Sequence, residues 1–115
     1  MRYVLLAVKA LLTVAFVAAG SAKLLGVEMM VQTFDAIGWG QWFRYVTGII
    51  EVGAAGLLWV PGLQAIGAGL LVATMGAAAL FHFLVLGPSA IPALVLGGLA
   101  GVVLWQNRDQ LLARA

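Results

Sequence analysis

The sequence predicts an all-α fold: an integral membrane four-helix bundle with a short interfacial amphipathic helix between helices 1 and 2. Hydrophobic residues make up 64% of the 115 residues and charged residues only 9%, whereas a soluble domain carries about 25% charged residues. Four apolar stretches approach the roughly 20 residues that a helix needs to cross a bilayer. The length predicts a single domain over residues 1–115.

Four predicted transmembrane spans follow one another along the chain, at residues 3–25, 42–60, 63–86 and 89–105. Pro61-Gly62 ends the second span and Gly87-Pro88 ends the third. Turns this tight predict that consecutive helices are antiparallel neighbours. Ser89 is predicted to cap the fourth span with its hydroxyl group.

The interfacial helix is predicted at residues 27–37. Met29, Met30, Phe34 and Ile37 recur there at helical spacing, and polar residues fill other positions. A short helix with one apolar face is typical of a segment that lies in the membrane interface.

The distribution of lysine and arginine predicts the orientation in the membrane. The end of the bundle that lacks the termini has Lys23 and Arg44, offset by Glu28 and Asp35. The end that holds both termini has four basic residues, Arg2, Lys9, Arg108 and Arg114. Because cytoplasmic loops carry the excess of basic residues, both termini are predicted to be cytoplasmic, in a multi-pass protein of the cell inner (cytoplasmic) membrane.

Small residues repeat every four positions on the last two spans, and they include Gly69 and Ala73 on the third and Gly97 and Gly101 on the fourth. Such repeats let helix backbones approach closely in lipid. They predict packing within one bundle, self-association, or both. The expected partners are therefore the lipid bilayer and either a homo-oligomer or another membrane protein.

Four ionisable residues are candidates for a ligand site or a polar cluster: Lys23, Arg44, Glu51 and His82. An ionisable side chain inside a membrane helix is costly and marks a functional candidate by default. Residue counts from the helix ends place Lys23, Glu51 and His82 together in the outer half of the bundle, with Arg44 at its rim. Two interpretations stay open: a structural cluster with Glu51 paired or protonated, or a pocket for a ligand, a proton or a quinone head group.

Composition and motifs exclude or disfavour several kinds of chemistry. The absence of cysteine excludes disulfides, thiol redox chemistry and iron–sulfur ligation. A single histidine leaves haem short of a second axial ligand, and no residues show metal-ligand spacing, so no metal is predicted. No P-loop, GxSxG or HExxH motif occurs, and scattered basic residues give no nucleic-acid footprint. Catalytic residues remain unknown, the chain is not expected to be an enzyme on its own, and quinone is the one cofactor kept as an alternative.

Three motifs occur in order along the spans. Residues 19–24 (AGSAKL) end the first span, residues 43–52 (FRYVTGIIEV) open the second, and His82 lies near the end of the third. Together they resemble the DoxX-like family of small four-helix membrane proteins, over nearly the whole chain. Four residues match the family pattern position by position: Lys23, Arg44, Gly48 and Glu51.

The resemblance implies a role within a membrane complex. The family is named for a membrane subunit of an archaeal thiosulfate:quinone oxidoreductase, and relatives are linked to oxidative-stress complexes and, in animals, to receptor assembly. With the short chain and its small-residue faces, this predicts an accessory or assembly subunit of a larger membrane complex. The alternatives are a quinone- or redox-linked subunit with a polar pocket in the outer half of the bundle, and a small oligomeric transporter.

Overall fold

A computed structural model describes residues 2–86 and 90–114, which form helices joined by turns, with no strand among them. The predicted all-α class is therefore confirmed. The elements are α1 (Arg2–Leu25), α2 (Glu28–Ile37), α3 (Trp42–Leu57), α4 (Gln64–Phe81), a π-helical segment (His82–Leu86), α5 (Ile91–Gln106) and α6 (Asp109–Arg114).

Helix α2 occupies the place of the predicted interfacial helix. It ends at Ile37 because Gly38 adopts a left-handed conformation, with φ of 83°, and donates its N–H to the Phe34 carbonyl. Glycine is the usual residue at such a helix end because it has no Cβ to clash.

Helix α3 is shorter than the predicted second span and ends at Leu57. Pro61 lacks the N–H that a helix interior needs, and Gly62 follows with φ of 82°. The chain therefore leaves the helix early, passes through turns and enters α4 at Gln64. The predicted turn at residues 87–89, including the Ser89 cap, lies outside the described residues.

The four long helices pack in a ring, because α1 contacts α3 and α5, and α4 contacts the same two helices. Side chains from all four helices fill a core between them. We call this region the packed half of the molecule. It is defined by five residues with no exposed surface: Leu12, Leu58, Ala68, Leu71 and Val103.

Glycines set the two closest helix contacts. A Cβ atom added to Gly20 of α1 would lie 2.8 Å from the Gly48 carbonyl oxygen of α3. A Cβ atom added to Gly67 of α4 would lie 2.7 Å from the Ala54 carbonyl oxygen of α3. Both separations are too short for any larger residue, so these glycines allow backbone-to-backbone packing.

Helix α6, which the sequence did not predict, closes the start of α4. The first N–H groups of a helix have no partner within it. Here the Ala65 N–H donates to Gln110 Oε1 at 2.9 Å, and Gln110 Nε2 donates to Gln64 Oε1 at 2.5 Å. A side chain 45 residues along the chain thus supplies the cap that α4 lacks locally.

Much of the outer surface of the helices is apolar. Tyr3–Leu25 and Gln64–Leu84 are both long and apolar enough to cross a membrane, and Ile91–Gln106 is apolar but shorter. Exposed large hydrophobic side chains such as Val14, Ile49 and Leu80 occur along the long helices. Soluble monomers rarely expose contiguous apolar surface on this scale.

Candidate functional site

A cavity of about 660 Å³ lies between α2, α3 and α4. Helices α3 and α4 touch near Gly67, and the cavity begins beyond that contact, toward α2. We call this region the cavity half of the molecule. Besides Lys23, Glu51 and His82, the cavity is lined by Met29, Met30, Thr33, Phe34, Ile37, Phe43, Val46, Thr47, Ile50, Leu70, Ala73, Thr74, Met75, Ala77, Ala78 and Phe81.

Aromatic rings hold the three walls of the cavity together near α2. Phe43 lies 5.6 Å from Phe34 and 6.1 Å from Phe81, measured between ring centroids. Trp39 packs against both Phe43 and Phe81, at 5.1 and 5.4 Å. Most of these pairs have the edge-to-face geometry that aromatic rings prefer. The cluster therefore joins α2, α3 and α4 around the space they enclose.

The cavity opens sideways, between α3 and α4. Val46 of α3 and Leu70, Ala73 and Ala77 of α4 line the cavity and are exposed, so we assign the opening to this side. All four of these side chains are apolar, so a hydrophobic molecule would meet apolar groups around the opening.

A buried ion pair forms one wall of the cavity. Lys23 Nζ lies 2.7 Å from Glu51 Oε1, and the exposed fractions of the two side chains are 14% and 1%. The close contact of Gly20 with Gly48 brings α1 and α3 near enough for this pairing, and a Cβ on Gly48 would lie 3.1 Å from Lys23 Cβ. The structure thus brings together two of the four residues that the sequence singled out.

His82 lines the same cavity. Its Nδ1 atom is buried and has no hydrogen-bond partner among the described residues. A buried polar atom without a partner is costly. His82 also begins the π-helical segment, and π-helical turns occur frequently at functional sites. The imidazole is therefore available to a bound molecule.

Arg44 was predicted at the rim of the cluster, but the structure buries it, with 5% of the residue exposed, outside the cavity lining. Its Nη1 donates to the Lys23 carbonyl oxygen and its Nε donates to Gln41 Oε1 at 2.7 Å. The last carbonyl groups of a helix lack internal partners and attract positive charge. Arg44 therefore caps the end of α1 and fixes the backbone of Lys23.

Gln41 is a positioning residue that sequence reasoning missed. Its Nε2 donates to the Val31 carbonyl oxygen at 3.1 Å and to Asp35 Oδ1 at 2.9 Å. With its Oε1 bound to Arg44, this one side chain ties α2 to the start of α3. No pattern of spacing marks it, because its partners lie up to ten residues away.

The four predicted helix-packing residues have different surroundings. A Cβ on Gly97 would lie 3.1 Å from Met75 Cβ, so Gly97 permits a close contact between α5 and α4. Gly69 is half-buried, with Leu104 4.0 Å from the position of its missing Cβ. Ala73 is exposed and lines the cavity, and a Cβ on Gly101 would meet no atom within 4 Å.

The apolar lining of the cavity was also not identified from the sequence. Met29, Met30, Phe34 and Ile37 were predicted as the apolar face of an interfacial helix, and all four line the cavity. Within the described residues, no three His, Cys, Asp or Glu side chains lie close enough to hold a metal ion. The site therefore offers hydrogen bonds, an ion pair and apolar contact.

Comparison with known proteins identifies one family. The sequence model of the DoxX-like family matches residues 7–105, which include the whole cavity lining. No curated protein and no solved structure matches the chain.

Proposed function

The chain belongs to the DoxX-like family, and we propose that it is a membrane protein of four transmembrane helices that binds a hydrophobic small molecule with a polar head group. One observation carries the proposal. An apolar cavity that opens sideways contains a buried ion pair and an imidazole nitrogen without a partner. Small-molecule sites combine such apolar walls with a few polar groups.

Membrane insertion is supported by the length and surface of the helices. Besides the two stretches long enough to cross, α3 and α5 have 16 residues each, about 24 Å at 1.5 Å per residue. The hydrocarbon core is about 30 Å thick, so α3 and α5 need some of their flanking residues to complete a span.

The orientation proposal, with both termini in the cytoplasm, gains support from burial. Lys23 and Arg44 are paired or bonded inside the protein, whereas Glu28 and Asp35 at the same end are exposed. The exposed charge at the α2 end is therefore acidic, and the basic residues cluster at the end with the termini. The exposed charges therefore fit the positive-inside rule better than a count of all lysine and arginine residues at each end does.

Single cysteines test the orientation, since the chain has none of its own. We expect an impermeant thiol reagent, added to intact cells, to label Glu28→Cys but not Asp109→Cys. Lysed cells provide the control, because both positions are exposed and both should then react. Labelling of Asp109→Cys alone in intact cells would reverse the orientation.

Quinones are one ligand class that suits this cavity. A volume of about 660 Å³ lies within the roughly 300–1,000 Å³ range of small-molecule pockets. Lys23 can donate a hydrogen bond to a carbonyl oxygen, and His82 can accept one from a hydroxyl group. The isoprenoid tail of a quinone would leave through the opening between α3 and α4 into lipid.

A pair of matched variants tests ligand binding. Ala73→Phe places a ring at the mouth of the cavity, whereas Ala10→Phe adds the same ring to an exposed position of α1 that does not line it. We expect native mass spectrometry of protein purified from membranes to find a bound hydrophobic molecule in wild type and Ala10→Phe, and to find it lost in Ala73→Phe. Equal retention by both variants would place the molecule elsewhere and contradict the proposal.

An accessory or assembly role in a larger membrane complex is the second candidate, supported by unused surface on α5. Cβ atoms added to Gly98 and Gly101 would meet no atom within 4 Å, so a partner helix or a second copy can pack closely there. We expect Gly98→Leu with Gly101→Leu to release a partner or halve an oligomer in native membranes, while Gly76→Leu, another open glycine, should not. Unchanged particle size would show that these glycines face lipid.

Transport by an oligomer would need a passage shared between chains. The packed half fills the space below the cavity with side chains such as Leu58 and Leu71. The test uses purified protein that binds a hydrophobic molecule in the cavity, reconstituted into lipid vesicles. If this protein moves no solute across the vesicle membrane, whatever its oligomeric state, the transporter alternative fails.

A further inference from the structure

We propose that the cavity selects molecules with an uncharged head group that carries a carbonyl or hydroxyl oxygen, and that Glu51 enforces this selection. The inference rests on the proposed function, because it concerns the ligand of the same cavity. It goes further by stating which hydrophobic molecules the site rejects.

Charge balance within the cavity is the first step. Besides His82, the described residues that line it include one basic and one acidic side chain, Lys23 and Glu51, whose formal charges are opposite and whose Nζ and Oε1 atoms lie 2.7 Å apart. The cavity wall is therefore neutral as it stands. A carboxylate, phosphate or ammonium head group would bring one uncompensated charge into an apolar space, which is strongly unfavourable.

No other charged side chain can compensate such a head group. The guanidinium of Arg44 is already bound to the Lys23 carbonyl oxygen and to Gln41, and Arg44 does not line the cavity. Glu28 and Asp35 are exposed on α2 and are also absent from the lining. The net charge of the cavity wall around a ligand therefore depends on the ion pair of Lys23 and Glu51.

Unused hydrogen-bonding capacity is the second step. The ammonium group of lysine has three donors, and Lys23 directs its Nζ to a single carboxylate oxygen of Glu51. His82 Nδ1 is buried without a partner in the described part of the chain. A head group with an oxygen that accepts from Lys23 and a hydroxyl group that bonds with His82 would satisfy both groups. Phenols, quinols and other uncharged hydroxylated lipids share this chemistry, and a quinone offers the acceptor for Lys23.

The same reasoning predicts a change of selectivity when Glu51 is neutralised. Glu51→Gln keeps the shape of the side chain but leaves the positive charge of Lys23 without a partner. A carboxylate head group would then replace the missing anion beside Lys23. The variant should therefore prefer anionic molecules with the same hydrophobic tail.

The experiment uses the full chain in nanodiscs of zwitterionic lipid, at one fixed pH. Three probes share one alkyl tail and differ in the head: a phenol, a carboxylate and a quaternary ammonium. Binding is measured by the ligand-dependent rise in unfolding temperature, with Ala73→Phe as the blank. We expect the wild type to bind the phenol at least about tenfold more tightly than either charged probe. We expect Glu51→Gln to bind the carboxylate more tightly than the phenol.

The outcomes separate this inference from the proposed function. Equal binding of a charged probe and the phenol by the wild type, abolished by Ala73→Phe, would overturn the inference and leave the binding function standing. Both proposals fail if none of the three probes binds the wild type, or if Ala73→Phe binds the probes as tightly as the wild type does. Particle size and cooperative unfolding report whether Glu51→Gln folds. If it does not fold, the wild-type comparison of the three probes still decides.

Discussion

The two halves of this small protein are packed in different ways. In the packed half, Leu12, Leu58 and Leu71 are fully buried, and Gly67 brings α4 against the backbone of α3. In the cavity half the same two helices enclose about 660 Å³, although phenylalanine and methionine side chains surround it. Residue size alone therefore does not separate the halves: the same two helices lie close together at Gly67 and farther apart around the cavity.

Polar groups follow the same division. The buried ion pair of Lys23 and Glu51 and the unpartnered His82 nitrogen all belong to the cavity half. The packed half is stabilised by close van der Waals contact, which is the main attraction between helices in lipid. We infer that one half holds the bundle together so that the other can remain open to a ligand. The predictions below compare the two halves, from the largest expected effect to the smallest.

The largest effect is expected in the cavity half, from Glu51→Leu. This change leaves the Lys23 charge buried without a partner, and breaking a buried pair costs about 3–5 kcal/mol. The double change Lys23→Met with Glu51→Leu should recover most of that stability, because it removes both charges. Denaturant unfolding in detergent micelles measures the free energies. A double variant as unstable as the single one would show that the pair does not act as a unit.

Truncation of one side chain in each half gives the most direct comparison of packing. Leu71→Ala leaves a new void in a filled core, and we expect a loss of about 2–5 kcal/mol. Ile50→Ala widens a cavity that already exists, so fewer contacts are lost and the expected loss is less than half as large. The two free energies of unfolding provide the check. Equal losses would mean that the cavity half is as tightly packed as the rest.

Glycine substitutions on α4 test the close helix contact. Gly67→Ala puts a methyl group 2.7 Å from the Ala54 carbonyl oxygen, and overpacking of this kind costs about 1–3 kcal/mol. Gly76→Ala is the matched control, because its Cβ meets no atom within 4 Å. The control should be neutral or stabilising by about 0.5–1 kcal/mol. A neutral Gly67→Ala would place α3 and α4 farther apart than described.

A smaller effect is expected from Trp59→Phe, at the end that holds the termini. Trp59 Nε1 donates to Thr13 Oγ1 at 2.7 Å, and an average hydrogen bond contributes about 0.5–1.5 kcal/mol. Trp42→Phe is the control, since this ring is exposed and packs edge-on against Phe43. Equal unfolding temperatures for the two variants would show that the Trp59 bond adds nothing.

The helices could be predicted from the sequence because apolar length and turn signals are local properties. The pairing of Lys23 and Glu51 also follows from depth, since residue counts along antiparallel helices place both in the same half of the bundle, within reach of a lysine side chain. Depth does not tell which way a side chain points, and for that reason the capping of α1 by Arg44 could not be predicted from its position at the rim.

The cavity itself could not be predicted, because its volume depends on how far α3 and α4 separate beyond Gly67. Patterning of α2 indicated an apolar face but not whether lipid or protein covers it. Likewise, α6 and its Gln110 cap depend on a contact between positions 45 residues apart. Such long-range contacts leave no periodic signal in the sequence.

The measurement that most directly tests the functional role of the cavity half is photo-crosslinking in nanodiscs. The probe is an uncharged alkylphenol with a diazirine in its tail, and peptide mass spectrometry locates the label. We predict saturable labelling of residues 43–51 in α3, and of residues 70–82 in α4 and the start of the π-helical segment. Ala73→Phe should abolish this labelling, and Ala10→Phe should keep it. Labelling spread over the outer surfaces of α1 and α5 without saturation would contradict a binding site in the cavity.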